Sequence, residues 1–324
     1  MTYRRLYYMT LIPFECGQNK QLMRSMPVSC RCSYFKKEDI DFSSSRLRDG
    51  VIMKRINETL RMVKHFYDEH TEEEWTRLDR RPIEFELAKR YLARFIKPGD
   101  KVLDMGGGPG RYAFWLAEIG CKVTLADLSS KNVGFVKKKA KELGLSIRAI
   151  QLDARYPDGL KGEKFDHVLC FGPLYHLLEE QDRHKAVVAN LALLKSGGTF
   201  ACTFISSYTI MLYYLKNAPQ KILENSEFMK QSIDQFIADE PFCGLSFTQV
   251  YYAKREEAQA FMERFPLEKL HFLGMEGILA PFEKMTNEQP NDVVNAWIDI
   301  AEQVCEREDL MSWAEHFLYI GKKL

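Results

Sequence analysis

Asp104-Met105-Gly106-Gly107-Gly108-Pro109-Gly110 joins a strand-like Lys101-Val102-Leu103 to a helix-like run from Arg111 to Glu118. Glycine carries no Cβ, so such a turn can enter positive φ and let backbone amides approach a ligand. The free N–H groups of the next helix point at the same spot. Strand, glycine turn and helix in this order make a binding unit of an α/β fold, with the ligand at the carboxyl end of the strand.

The segments that follow keep the alternation. Strand 101–105, helix 111–119 closed by Gly120, strand 122–127, helix 131–143 closed by Gly144, strands 147–152 and 165–171, helix 179–194 and strand 199–205 form a βαβ series. Right-handed crossovers turn such a series into a doubly wound parallel sheet with helices on both faces. The glycine turn, Asp127, Asp153 and the run from Phe171 to His176 all fall at strand ends and should meet in one crevice. In helix 131–143 the expected N-cap is Ser130, and the expected buried stripe is Val133, Val136, Ala140 and Leu143. Lys137, Lys138, Lys139 and Lys141 are left mostly in water. Upstream, a helical stripe runs Ile56, Leu60, Val63, Tyr67. A second helix opens at Pro82 with Phe85, Ala88, Leu92 and Phe95 on one face. Late in the chain, 256–264 and 291–306 read as helices and 269–273 and 316–322 as strands.

Glycine turns of this kind serve several nucleotide folds. A dinucleotide fingerprint begun at Gly106 needs glycine at 111, where Arg111 stands. Begun at Gly108, its looser form fits, with Gly110 and Ala113 as the other members. That alternative stays open here. Against it, Asp104 would set a carboxylate beside a pyrophosphate, whereas a cofactor presenting an amino group would welcome it.

Asp104-x-Gly106-x-Gly108-x-Gly110 resembles motif I of the class I S-adenosylmethionine-dependent methyltransferases. The resemblance continues in order through Val123 to Leu128, Gln151-Leu152-Asp153-Ala154, Phe165 to Cys170, and Leu194-Lys195-Ser196-Gly197-Gly198-Thr199, over roughly residues 100 to 205. Phe66-Tyr67-Asp68-Glu69 and Glu74 to Leu78 look like the leading helices of small bacterial methyltransferases of this type. The resemblance implies a seven-stranded, mostly parallel Rossmann-like sheet whose two late strands pair antiparallel at its edge. N-terminal helices would cap the cofactor end. It also implies a helical lid over about 206–250, a segment rich in Tyr208, Met211, Tyr213, Tyr214, Phe228, Met229 and Phe236; ordinary core packing explains those residues equally well.

The same resemblance implies S-adenosylmethionine as cofactor and assigns roles. Gly106, Gly108 and Gly110 would let its methionine and ribose parts lie against the backbone. Asp104 would accept from the ammonium side and Asp127 from both ribose hydroxyls. Leu128 would lie against adenine, Asp153 would receive the adenine amino group, the Ala154 amide would serve a ring nitrogen, and Phe171 would border the site. Asp127 can instead cap the helix after Ser129, and Asp153 can shape the turn before Tyr156-Pro157.

On the acceptor side, Phe171-Gly172-Pro173-Leu174-Tyr175-His176 sits where DNA amino-methylating enzymes resemble Asn/Asp-Pro-Pro-Tyr. Gly172 and Leu174 replace two key positions, and no Pro-Cys pair is present, so nucleic acid is not the expected acceptor. Tyr175 and His176 are the expected catalytic residues: a histidine with an ordinary pKa near ~6.5 suits a general base, with local packing as its alternative. Tyr67, Trp75 and Arg77 either close over the site or simply pack. His167, inside a buried strand, reads as structural. No metal is called for.

Composition agrees with a globular enzyme acting on a small molecule. The 46 basic and 45 acidic residues leave a formal charge of +1, so no global field recruits nucleic acid or an anionic membrane. No apolar run approaches the ~20 residues of a membrane span. Eight cysteines in 324 residues, with Cys121, Cys170 and Cys202 in apolar strands, read as reduced thiols in a cytoplasmic protein. Residues 1–52 lack sustained periodicity and read as a disordered extension before a methyltransferase domain at 53–324. The extension is either an appended tail or a misassigned start ahead of Met53. Its Cys30-Arg31-Cys32 has no second pair at zinc spacing. Two other functions remain: an NAD(P)-dependent oxidoreductase, which would lack a Tyr-x-x-x-Lys pair because Arg255 and Glu256 follow Tyr251 and Tyr252, and a non-catalytic S-adenosylmethionine-binding protein.

Overall fold

The computed structural model describes residues 58–324. The segment 1–52, its Cys30 and Cys32, and Ile56 of the first helical stripe lie outside the described residues.

Five parallel strands form the centre of the molecule: β1 (Lys101–Met105), β2 (Lys122–Asp127), β3 (Ile147–Gln151), β4 (Phe165–Cys170) and β5 (Leu194–Ser206), in the spatial order β3-β2-β1-β4-β5. Their interiors are near-continuous apolar runs, as strands covered on both faces require: Val102, Leu103, Val168, Leu169 and Phe200 to Cys202 are all buried. Four further strands are β6 (Phe242–Leu245), β7 (Gln249–Ala253), β8 (Leu267–Gly274) and β9 (His316–Lys323). β9 lies antiparallel against β5, and β8 antiparallel against β9, as expected of the two late strands, but with β6 and β7 the sheet has nine strands among the described residues rather than the expected seven. The hairpin of β6 and β7 was not anticipated. It joins the sheet where Ile205 and Ser206 pair with Tyr252 and Ala253. Pro241 and Gly244 obscure it, since proline and glycine weaken any strand pattern.

Residues 58–69 are helical (α1), followed by α2 (Thr71–Arg80), α3 (Pro82–Leu92), α4 (Arg111–Glu118), α5 (Ser130–Leu143), the single turn α6 (Pro173–His176) and α7 (Glu180–Leu193). The buried face of α3 is Ile83, Leu87, Ala88, Tyr91 and Leu92, rotated from the expected one; Phe85 is only partly covered and packs edge-on to Tyr112 at 5.0 Å. Ser129, not Ser130, caps α5 by accepting from the Asn132 amide at 3.1 Å. Val133, Val136 and Ala140 are buried as expected, but Leu143 is exposed beside Gly144, which ends the helix in the left-handed region. Cys121, Cys170 and Cys202 are buried free thiols, and His167 is tied to Thr199 and Asp100, a structural role. Trp75 packs edge-on against Phe114 with Lys139 over its ring.

Candidate active site

The carboxyl ends of β1, β2, β4 and β5 open into one cavity, roofed by α1 and α2. Asp104, Gly106, Gly108, Asp127, Leu128, Asp153, Ala154, Phe171, Tyr175 and His176 all line it. Gly110 does not. It stands at the N-cap of α4 with φ +94°, and an added Cβ would lie 3.0 Å from Val136, so its role is to let α4 pack on α5. Of the residues lining the cavity, none comes from 206–250. The helices expected there, Thr209–Asn217 and Glu227–Ile237, share an apolar cluster with Tyr175 but contribute no lining residue, whereas α1 and α2 do.

The glycine turn is tight because the segment after β4, Phe171 and Pro173, packs against it. Gly106 has φ +75°, and a Cβ there would come within 2.4 Å of the Pro173 ring; one on Gly107 would meet Asp104 Oδ2 at 2.5 Å. Asp104 is completely buried, and neither carboxyl oxygen has a hydrogen-bond partner. Burial first, and the neighbouring Asp127 second, raise its pKa to about 7, with a smaller opposing pull from the Ala113 amide. The Ala113 amide is near enough to pull on the carboxyl without making a well-formed hydrogen bond, and a buried carboxyl so placed is expensive unless a donor arrives from outside the chain.

Asp127 serves the start of the following helix, as one of its two readings expected, and reaches the glycine turn as well. Oδ2 accepts from the Gly108 amide at 2.9 Å, while Oδ1 accepts from the Ser129 amide at 2.8 Å and Asn132 Nδ2 at 3.2 Å. It therefore pins the glycine turn to the start of α5, and Oδ2 keeps a lone pair for a ligand hydroxyl. Burial leads in raising its pKa, and these three donors oppose the shift. Asp153 is more committed. Its two oxygens are gripped by the Arg155 guanidinium at 2.8–3.3 Å, Oδ1 also takes the Arg155 amide, and Arg155 is held in turn by Asp182 at 2.9 Å. Here the turn-forming role occupies most of the carboxylate that the adenine amino group was expected to find.

His176 is buried, and both ring nitrogens are engaged. Nδ1 lies 3.0 Å from the Gln249 carbonyl, which can only accept, so Nδ1 carries the proton; Nε2 then accepts from the Tyr67 hydroxyl at 2.8 Å. Burial pulls its pKa down to about 4 against the help of that carbonyl. The ring is a neutral link between β7 and α1, and acting as a free base would require it to release Tyr67. Tyr175 stacks edge-on to it at 4.7 Å, its own pKa raised chiefly by burial.

The far end of the cavity was not foreseen. Arg77, expected only to close or pack, donates to both oxygens of Glu84 at 2.7 and 3.1 Å and pairs with Glu74 at 3.3 Å. His316 and Met275 line the same end, and His316 Nδ1 donates to Glu276 Oε1 at 2.6 Å. Glu276 is completely buried, its Oε2 accepting from the amides of Glu315 and His316, both at 3.0 Å. Glu84, Glu276 and His316 bring three ligand-type atoms within 4.8 Å of one another, yet Arg77, two amides and the imidazole already take their lone pairs. The Tyr112 hydroxyl, also lining the cavity, is buried without a partner. One signal was present in the sequence: Glu84 shares the helical face of Leu87, Ala88 and Tyr91, and a carboxylate on a buried stripe implies a partner.

Residues 102–198 match the family described as a methyltransferase domain. These residues form a methyltransferase domain of the class I S-adenosylmethionine-dependent type. The chain is 30% identical over 147 residues to a glycine/sarcosine N-methyltransferase of Parasynechococcus marenigrum, covering 44% of this chain and 52% of that protein. It is 29% identical over 144 residues to a ubiquinone biosynthesis O-methyltransferase of Actinobacillus pleuropneumoniae, covering 41% and 60%. The chain thus spans between half and three fifths of the length of these curated relatives. Magnesium protoporphyrin IX methyltransferase from Synechocystis PCC 6803, solved with bound S-adenosylhomocysteine, shares the fold with a TM-score of 0.50 at 14% identity over 82% of this chain and all of that one. This family of methyltransferases uses S-adenosylmethionine.

Proposed function

We propose that this methyltransferase moves the methyl group of S-adenosylmethionine to a nitrogen, oxygen or sulfur of a small molecule, with residues 53–324 acting as one unit. The buried carboxyl of Asp104, without a well-formed hydrogen bond and beneath a turn whose Gly106 and Gly107 leave no room for a Cβ, carries the reading. It is what an ammonium group needs and what a pyrophosphate would repel, which sets this turn against the dinucleotide alternative. Once bound, the cofactor supplies a methyl already activated by its sulfonium. The protein therefore has to hold, aim and keep dry, and orientation is worth ~7–11 kcal/mol in well-aligned cases. Asp104 takes the ammonium, Asp127 Oδ2 a ribose hydroxyl, Leu128 and Phe171 the flat faces, and the Ala154 backbone the base edge. α1 and α2 exclude water.

Tyr175 and His176 act on the acceptor side of this reading, His176 by holding the Tyr67 hydroxyl at the cavity wall. The segment 206–250 serves as an insertion whose hairpin braces His176 through Gln249 rather than as a lid. Small acceptors fit the cavity and the near-zero net charge, and the relatives' names include small-molecule methylation. Among the described residues no helix is long and apolar enough to cross a membrane, in keeping with a cytoplasmic enzyme. Calorimetric titration should give micromolar-range binding of S-adenosylmethionine and its demethylated product, weakened about tenfold or more by Asp127→Ala. Intact, folded protein that binds neither would overturn the reading.

A further inference from the structure

We infer that His316, oriented by Glu276, is the general base that takes a proton from the methyl acceptor, and that the acceptor is therefore protic: a hydroxyl or an ammonium nitrogen. The inference rests on the methyl-transfer reading and adds a residue and a substrate class to it.

The geometry is that of a carboxylate–histidine pair built to face a cavity. Glu276 cannot turn away, because two backbone amides hold its Oε2 at 3.0 Å. Its Oε1 takes the Nδ1 proton of His316 at 2.6 Å, which fixes the tautomer and leaves Nε2 as the lone-pair nitrogen. Nε2 has no hydrogen-bond partner among the described residues, and the side chain keeps 14% of its surface free at the cavity wall. His176 offers no such nitrogen, since Tyr67 occupies its Nε2. A second observation points to a ligand at this end: the Tyr112 hydroxyl, buried and without a partner, lines the same cavity.

The groups facing His316 are Arg77 from α2, Glu84 from α3 and Glu276 from the turn after β8. Burial lowers the imidazole pKa, Glu84 and Glu276 outweigh that, Arg77 opposes them, and the net direction is upward. A hydroxyl passes its proton to Nε2 as its oxygen bonds to the incoming methyl, whereas an ammonium nitrogen passes its proton to Nε2 beforehand and so frees the lone pair that attacks; in both cases the electron pair of the broken methyl–sulfur bond stays on sulfur. Glu276 stabilises the imidazolium until it loses the proton to water.

The test uses the full chain, radiolabelled methyl-S-adenosylmethionine and a small-metabolite extract as acceptor pool, with calorimetric cofactor binding alongside. His316→Asn should keep cofactor affinity within about twofold, lower label transfer by about 10²- to 10⁴-fold, and abolish the rise of rate with pH expected of the parent protein. Glu276→Gln should move that rise to lower pH. Nitrogen NMR of the imidazoles gives a readout apart from turnover: His316 should carry its proton on Nδ1 and titrate above ~6.5, and the titration should fall in Glu276→Gln. Equal transfer by His316→Asn and the parent protein, or a His316 ring protonated on Nε2 instead, defeats the assignment while leaving methyl transfer standing. Cofactor binding with no label moved by any form defeats both.

Discussion

Asp104 is a single residue whose ionisation opposes folding and favours binding. With its folded pKa raised to about 7 from an unfolded value near ~3.9, its contribution is fully present below the unfolded value and is lost as pH rises through about 7. Asp104→Asn should therefore stabilise the cofactor-free protein at about pH 8 by about 1–3 kcal/mol, and by much less at about pH 4. Denaturant melts at the two values check this. The same substitution should weaken S-adenosylmethionine binding, because an amide cannot neutralise an ammonium. In the unaltered protein, affinity should tighten from about pH 6 to about pH 8 as the carboxyl ionises. A variant that loses both stability and affinity at about pH 8 would show that Asp104 has an internal partner.

At the level of elements, two joints set the site, and both connect segments far apart in the chain. The β1–α4 turn fits under α6 only without side chains: Gly106→Ala would place a methyl 2.4 Å from Pro173 at φ +75°. We expect it to weaken cofactor binding at least tenfold and to lower stability by about 1–3 kcal/mol, measurable by titration and melting together. The second joint is the chain Tyr67–His176–Gln249, which docks α1 onto α6 and β7. Tyr67→Phe removes the donor to a buried ring nitrogen and should cost about 1–3 kcal/mol. Amide hydrogen exchange in 58–69 should quicken before exchange in β1 does; unchanged protection there would mean that α1 is held by its apolar stripe alone. Arg155, between Asp153 and Asp182, does the equivalent service after β3.

Across the whole molecule, buried charges knit the N-terminal helices to the last strand. Arg77 with Glu84, and Arg81 and Lys216 with Glu315, tie α2, α3 and the segment after β5 to the start of β9. Burial raises the carboxyl pKa of Glu84 and Glu315, but these cations outweigh it and hold both well below the usual range. Groups depressed in this way contribute stability above the unfolded pKa of ~4.3 and lose it as pH falls further. Glu283 runs the other way: burial lifts it to about 8, beyond what Arg81 recovers, so its contribution is lost as pH rises. Stability should thus fall on both sides of a mid-range maximum. Glu84→Gln should flatten the acid limb and lower stability near neutrality by about 3–5 kcal/mol, since Arg77 is left buried without its main partner. Urea melts between about pH 3 and pH 7 decide this; an unchanged acid limb would place acid sensitivity elsewhere.

The sequence by itself determined the parts governed by short-range physics. Glycine at 106 and 108 is a statement about φ and missing Cβ atoms, the run from Val102 to Met105 is a statement about a covered strand, and Asp104 and Asp127 sit at strand ends whatever the rest of the chain does. The residues that gather at the strand ends were legible for that reason, and so was the parallel sheet. Leu143 and the face of α3 were misjudged because an amphipathic stripe names a helix face only to within a residue or two. Only the tertiary structure decided which partners Asp153 and His176 already hold, and which chain segment roofs the cavity. It also decided that Glu276 meets a histidine 40 residues later and that Glu84 lies beside them both. Those meetings depend on β9 docking antiparallel on β5 with His316 opposite Ile205, a register set by long-range packing that no local pattern encodes.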